Sequence, residues 1–294
     1  MRWNKISLIG MGLMGGSLAL AVKQAKLALK IHAYARRPES IEEGKRLGIA
    51  EFFTQSLPDA VLDADLIVLC TPLSQMQGLV TQMRPCLKPG AVVTDVGSVK
   101  GSVVQELEPI IHSAKAFFVG SHPMAGSEKT GLSAARADLF RNALCLVTPG
   151  THATVEAICA VQNFWKAVGG SPLRMSPELH DDLVSRSSHL PHVVAAELAN
   201  YVLSPAHPKE QALVCANGFK DTTRIASGSP EMWRDISLAN RKNLGRVLGV
   251  LIDDLQEFQL ALEREDIKAV EEFFTKAKQR RDLWRAHLPT TSPE

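Results

Sequence analysis

The sequence predicts an α/β domain with a mostly parallel sheet covered by helices on both faces, spanning residues 1–176, followed by an all-helical domain over residues 177–294. Three observations carry this. Short apolar runs alternate with longer amphipathic stretches up to residue 175, the rhythm of repeated βαβ units. A glycine-rich turn joins the first apolar run to the first helical stretch. After about residue 176 the pattern is helical throughout.

The elements follow in order. Ile6–Ile9 is a short, mostly apolar run of strand length, and Leu13–Ala25 continues from it with helical spacing. Lys30–Ala35, Leu66–Cys70, Ala91–Val96, Ala116–Val119, Ala143–Val147 and Ser171–Met175 are further strand-like runs. Pro38–Leu47, Gln75–Leu87 and Ala153–Val168 are amphipathic helices between them. Ser176-Pro177-Glu178 reads as a helix start, with serine at the N-cap and proline at the first helical position. The helical region breaks near Ser204-Pro205 and Ser227–Pro230. Val193–Ala199 and Val247–Leu262 are apolar over more than one face, so each wants burial on several sides. Pairing with a second copy through this domain, to form a homodimer, would supply it.

Composition narrows the function classes. Hydrophobic residues at 45% and charged residues at 22% suit a soluble globular protein, and a net charge of +2 gives no argument for nucleic acid or a membrane surface. The five cysteines form no CxxC pair and their number is odd, which suggests neither a disulfide framework nor a zinc site. Cys70 and Cys145 sit inside apolar runs and read as buried thiols. The first residues lead into a strand without a cleavable signal pattern, so a reducing cytoplasm is expected.

Gly10-Met11-Gly12-Leu13-Met14-Gly15 is a GxGxxG string with a strand before it and a helix after it, the context of a dinucleotide-binding, Rossmann-type fold. Gly10 and Gly12 let backbone amides approach a pyrophosphate at the positive end of the helix, and Gly15 lets helix and sheet pack closely. Thr71-Pro72 falls at the carboxyl end of a strand, where ligands of such sheets bind. At the end of the second strand, where NAD-binding folds carry an acidic residue, this chain has Ala35 followed by Arg36 and Arg37. A guanidinium binds a 2′-phosphate that a carboxylate would repel, which favours NADP over NAD.

The chemistry is expected around Gly120–Glu128, where His122 and Glu128 stand six residues apart in a Gly/Ser/Pro-rich segment. As a loop at a strand end, it would expose an imidazole fit to act as a general base. Ser98 lies at another strand mouth, in Asp95-Val96-Gly97-Ser98-Val99-Lys100, which also reads as an ordinary helix start. His189 and His192 flank Pro191, near His180-Asp181; without an HExxH or cysteine set they suggest a polar substrate pocket rather than a metal. Arg224 is flanked by small and apolar residues, which points to burial against an anion, and Trp233 follows.

These motifs together resemble the prephenate/arogenate dehydrogenase family over nearly the whole chain: Gly10–Gly15, Asp95–Gly101, Gly120–Glu128, His180-Asp181, Ser188–His192, Asp221–Arg224 and Trp233. The resemblance implies a Rossmann domain followed by a helical dimerisation domain. It implies NAD(P)-dependent oxidative decarboxylation of prephenate to 4-hydroxyphenylpyruvate, of arogenate to tyrosine, or both. It assigns His122 as catalytic base, and Ser98 to the ring hydroxyl or to orienting His122. Arg224 would bind a substrate carboxylate, and His192, Trp233, Glu128 and His189 would line or gate the pocket. Ala35-Arg36 departs from the acidic residue of NAD-using members. Two other readings compete. A β-hydroxyacid dehydrogenase would need a catalytic lysine, for which Lys220 is the candidate, and leaves the His122–Glu128 segment without a role. A non-catalytic NADP-binding sensor would have no use for His122, Ser98 and Arg224 together.

Overall fold

Eight strands form one sheet in the order β3-β2-β1-β4-β5-β6-β7-β8. The computed structural model describes residues 2–126, 129–204 and 208–286; Glu128 lies outside them. The strands are β1 (Trp3–Ile9), β2 (Ala28–Tyr34), β3 (Phe52–Thr54), β4 (Leu66–Leu69), β5 (Val92–Asp95), β6 (Phe117–Pro123), β7 (Leu144–Pro149) and β8 (Ser171–Arg174). The first six are parallel in the order of a doubly wound dinucleotide fold, as expected. β6 pairs antiparallel with β7.

Alternation along the strands divides the core in two, because successive side chains point to opposite faces. Ile6, Leu8, Leu66, Val68 and Val92 pack with α1 (Leu13–Gln24), Ile41 of α2 (Pro38–Leu47) and α6 (Val155–Ala167). Ile9, Ile67, Leu69 and Val93 pack with α3 (Leu57–Val61), α4 (Leu73–Met83) and α5 (Gly101–His112). Both faces being covered explains why these strands read as largely apolar runs rather than as an alternation. β3 and α3 are too short to give a periodic signal, so the sequence does not announce them.

After β8 the described residues are helical. α7 (Pro177–Val184) begins as expected: the Ser176 hydroxyl accepts from the Leu179 amide at 3.2 Å. A π-turn at Ser185–His189 then leads into α8 (Leu190–Val202). Pro191 has no N–H to donate and its ring crowds the preceding turn, and the widened turn accommodates both. α9 (Pro208–Val214), α10 (Asn217–Thr223) and α11 (Pro230–Ala239) follow, the last capped by Ser229 on the Met232 amide.

The chain separates into two compact units, Met1–Asn243 and Leu244–Glu294. The second holds most of α12 (Arg241–Glu263) and all of α13 (Ile267–Ala286). Phe258 packs its ring on Phe273 and Phe274, with centroids 4.5 and 5.8 Å away. Val250, Ile252, Leu255 and Leu262 of α12 remain exposed, which matches the expectation that this helix is apolar over several faces. Among the described residues, no helix is long and apolar enough to cross a membrane. All five cysteines are free thiols, and burial pushes that of Cys145 up to about 12.

Candidate active site

The carboxyl ends of β1, β2 and β4 open into a cleft of about 560 Å³ lined by Gly10, Gly12, Ala35, Arg36, Arg37, Thr71 and Pro72, among others. It sits where the strand order reverses, between β1 and β4. Gly10 has φ of +106° and a Cβ there would lie 2.9 Å from the Cys70 carbonyl oxygen, so the turn admits only glycine. A Cβ on Gly15 would overlap the Gly10 carbonyl oxygen, the close helix–sheet approach the fingerprint predicts. At Gly12, the N-cap of α1, a Cβ would meet nothing within 4 Å. Open space before a helix start without a side-chain cap suits a pyrophosphate. The buried Thr71 hydroxyl, also at this cleft, has no partner. These residues fit a bound dinucleotide. Leu13 and Met14 do not line the cleft; they pack against the core beneath it. The lining residues include no carboxylate.

His122 is not on an exposed loop. β6 runs on through Pro123 because its second half pairs with β7, His122 opposite Leu146, and the imidazole is only 7% exposed. Its Nδ1 lies 2.9 Å from His180 Nε2, and His180 Nδ1 lies 2.8 Å from Asp181 Oδ1. A carboxylate can only accept, so His180 donates from Nδ1 and accepts at Nε2 from His122 Nδ1–H. His122 Nε2 therefore keeps its lone pair. Burial, followed by His180, Lys100 and His189, holds the His122 imidazole well below its ordinary range, as an uncharged base. His180 is likewise lowered, chiefly by burial. Burial alone would raise the Asp181 carboxyl; hydrogen bonds from His180 and from the Lys100 and Gly101 amides, both at 2.8 Å, hold it below the usual range.

The remaining polar residues converge on the same region. Asn240 donates to His189 Nδ1 at 3.2 Å, so neutral His189 carries its proton on Nε2, which is buried without a partner. Burial pulls His189 down to about 4, and the Asp181 charge, followed by the Ser98 carbonyl, offsets part of the fall. His192 donates from Nδ1 to the Ser188 carbonyl at 2.9 Å and stacks on Trp233, ring centroids 3.7 Å apart. Burial lowers His192, and the Arg224 charge nearby adds to the effect. Arg224 itself is exposed, contrary to the burial its apolar neighbours suggest, because it sits where α10 ends in a 3₁₀ turn. Ser98 is half-buried ahead of α5, whose first amides are held by Asp181 rather than by Ser98. Sequence reasoning gave His180, Asp181 and Asn240 no individual role; the adjacent His-Asp pair was the one visible sign.

Comparison with known proteins identifies the family. The family model described as "Prephenate dehydrogenase, nucleotide-binding domain" matches residues 18–173, and "Prephenate dehydrogenase, dimerization domain" matches residues 176–276. Cyclohexadienyl dehydrogenase of Zymomonas mobilis is 33% identical, the match covering 95% of each chain. Prephenate dehydrogenase of Bacillus subtilis is 35% identical, across 95% of this chain and 76% of the relative. The structure of Aquifex aeolicus prephenate dehydrogenase with hydroxyphenyl propionate and NAD+ superposes with a TM-score of 0.89 at 33% identity, covering 96% of this chain and 98% of the other. Two family models in sequence order, together with relatives a third identical over 95% of this chain, show that the chain belongs to the prephenate dehydrogenase family.

Proposed function

We propose that the protein catalyses the oxidative decarboxylation of prephenate, arogenate or both, with NADP or NAD, as a step of tyrosine biosynthesis. The observation that carries this reading is the buried His122–His180–Asp181 chain, which leaves an uncharged imidazole with a free lone pair. The dinucleotide, when bound, supplies the hydride acceptor. His122 Nε2 takes the proton of the ring hydroxyl as the hydride leaves the same carbon. The bond to the ring carboxylate breaks, its electron pair enters the ring, and CO₂ departs. Aromatisation drives the step, so the residues chiefly have to orient the ring and manage charge.

In this reading residues 1–176 hold the dinucleotide, through Gly10, Gly12 and the α1 N-terminus, with Thr71 and Pro72 beside them. Residues 177–294 supply substrate contacts and the homodimer interface, and the reaction runs in the cytoplasm. Arg224 would bind a substrate carboxylate through its planar fork. The unpartnered His189 Nε2–H supports a role as donor to a substrate oxygen. Ser98 would contact the ring hydroxyl, while His192 and Trp233 form one wall and Glu128 contributes to the gate. The rival β-hydroxyacid dehydrogenase reading leaves the histidine chain idle and is not favoured.

Initial rates with prephenate or arogenate against NAD⁺ or NADP⁺ test the function. Turnover is expected in at least one combination; four blanks from folded, cofactor-binding protein would overturn the reading. The cleft's two arginines and lack of a carboxylate support NADP as the preferred cofactor. Arg36→Asp is expected to shift the ratio of kcat/KM towards NAD⁺ by about tenfold or more, the scale of one charged hydrogen bond. An unchanged ratio would remove Arg36 from the specificity argument.

A further inference from the structure

The sheet holds a fully buried lysine that the reaction as described leaves unused. Lys100, 0% exposed, lies between β5 and α5. Its ammonium donates to Asp95 Oδ2 and, at 2.9 Å, to the Ser121 carbonyl. Its amide is held by Asp181 at 2.8 Å, and its carbonyl accepts from the Val104 amide at 2.8 Å.

The surroundings explain what is fixed. The parallel β5–β6 ladder registers Val92 with Phe117 and Val93 with Phe118. Beyond it, side chains take over the bonding. Ser121 donates its amide to Asp95 Oδ1 at 3.0 Å and its hydroxyl to the Asp95 carbonyl at 2.6 Å. Asp95 Oδ2 also accepts from the Gly97 amide at 2.8 Å. The Asp95 carboxylate gathers two amides and the Lys100 ammonium; burial lowers Lys100, and the pairing with Asp95 opposes that fall. The pair thus ties down the residue immediately before His122.

We propose that Lys100 is a positioning residue of this reaction: a buried side chain, paired with Asp95, that anchors through the Ser121 carbonyl the β6 segment carrying His122. The proposal rests on the reading of His122 as the base. The charged and titratable groups that act on His122 are His180 from α7, in contact with it and bonded in turn to Asp181, then Lys100 from the β5–α5 connection, paired with Asp95, and His189 from the π-turn. Of these Lys100 is the one paired with a carboxylate as an ammonium, and its charge adds to the burial that already lowers the ring.

The test is the pH profile of kcat/KM for Lys100→Met and for the double variant Lys100→Met/Asp95→Asn. The double variant removes both charges together, a change that buried pairs often tolerate. Because the base must be unprotonated, losing the cation raises the pH at which activity falls. The acid limb is expected to move upward by about one pH unit in both variants, the scale of one removed neighbouring charge. The ¹³C signal of the His122 ring should titrate upward in parallel, without turnover. A limb and a titration unchanged in the double variant, with only rate or melting temperature lowered, would reduce Lys100 to a structural role and overturn the proposal. The two readings fail separately. If His122→Asn keeps the wild-type rate and acid limb, the base assignment falls; if it loses them and the Lys100 variants keep the limb, the lysine proposal alone falls.

Discussion

His122→Asn is expected to lower kcat by about 10²–10⁴-fold, the usual cost of removing a general base. Dinucleotide affinity should barely change, because His122 does not line the cofactor cleft. Asparagine keeps polar bulk at the strand end but offers no basic nitrogen. Wild-type activity should fall with acid only below about pH 6.5, the ordinary histidine value, because the environment of His122 disfavours its protonation. Steady-state rates and dinucleotide titration separate the two quantities. A variant with near-normal turnover, or one that lost turnover only through cofactor affinity, would sink the assignment of His122.

Asp181→Asn is the second large effect, and it acts on both chemistry and stability. The carboxylate accepts from three donors: His180 Nδ1 and the amides of Lys100 and Gly101. An asparagine must turn its NH₂ towards at least one of them. That leaves a buried donor unmatched, at a cost of about 1.5–3 kcal/mol. Facing an NH₂, His180 would accept at Nδ1 and donate from Nε2, which forces the proton of His122 onto its own Nε2. The base then presents a hydrogen where it needs a lone pair. A tautomer error of this kind elsewhere costs on the order of 10⁴ in kcat, so a loss of ~10³–10⁴ is expected. Denaturant unfolding and single-turnover rates read the two effects independently. The stability gap also carries a pH signature. The folded Asp181 carboxyl is held below the unfolded value of about 3.9, so its contribution is present above that pH and is lost as pH falls through the folded value. The wild type and variant should therefore converge in strong acid. A gap constant from pH 7 to pH 2 would refute the account.

The sequence by itself determined the parallel sheet, the cofactor turn and the family. Each is written locally: apolar runs such as Ile6–Ile9 and Leu66–Leu69 are buried on both faces, and Gly10–Gly15 must turn tightly over a few residues. The same local reading made Gly120–Glu128 a loop, since glycine, serine and proline are loop formers. Pairing with β7, some twenty-five residues onward, overrides that preference and buries His122 in a strand. Arg224 erred the other way, its apolar neighbours suggesting burial where a helix end leaves it exposed. Only the tertiary structure decided which nitrogen of His122 is free and which cation stands behind it. His122 and His180 are 58 residues apart, and Lys100 and Asp181 are 81 apart. No period or spacing along the chain encodes such contacts. They arise when α7 packs at the carboxyl end of the sheet, where buried polar groups must find partners or cost stability.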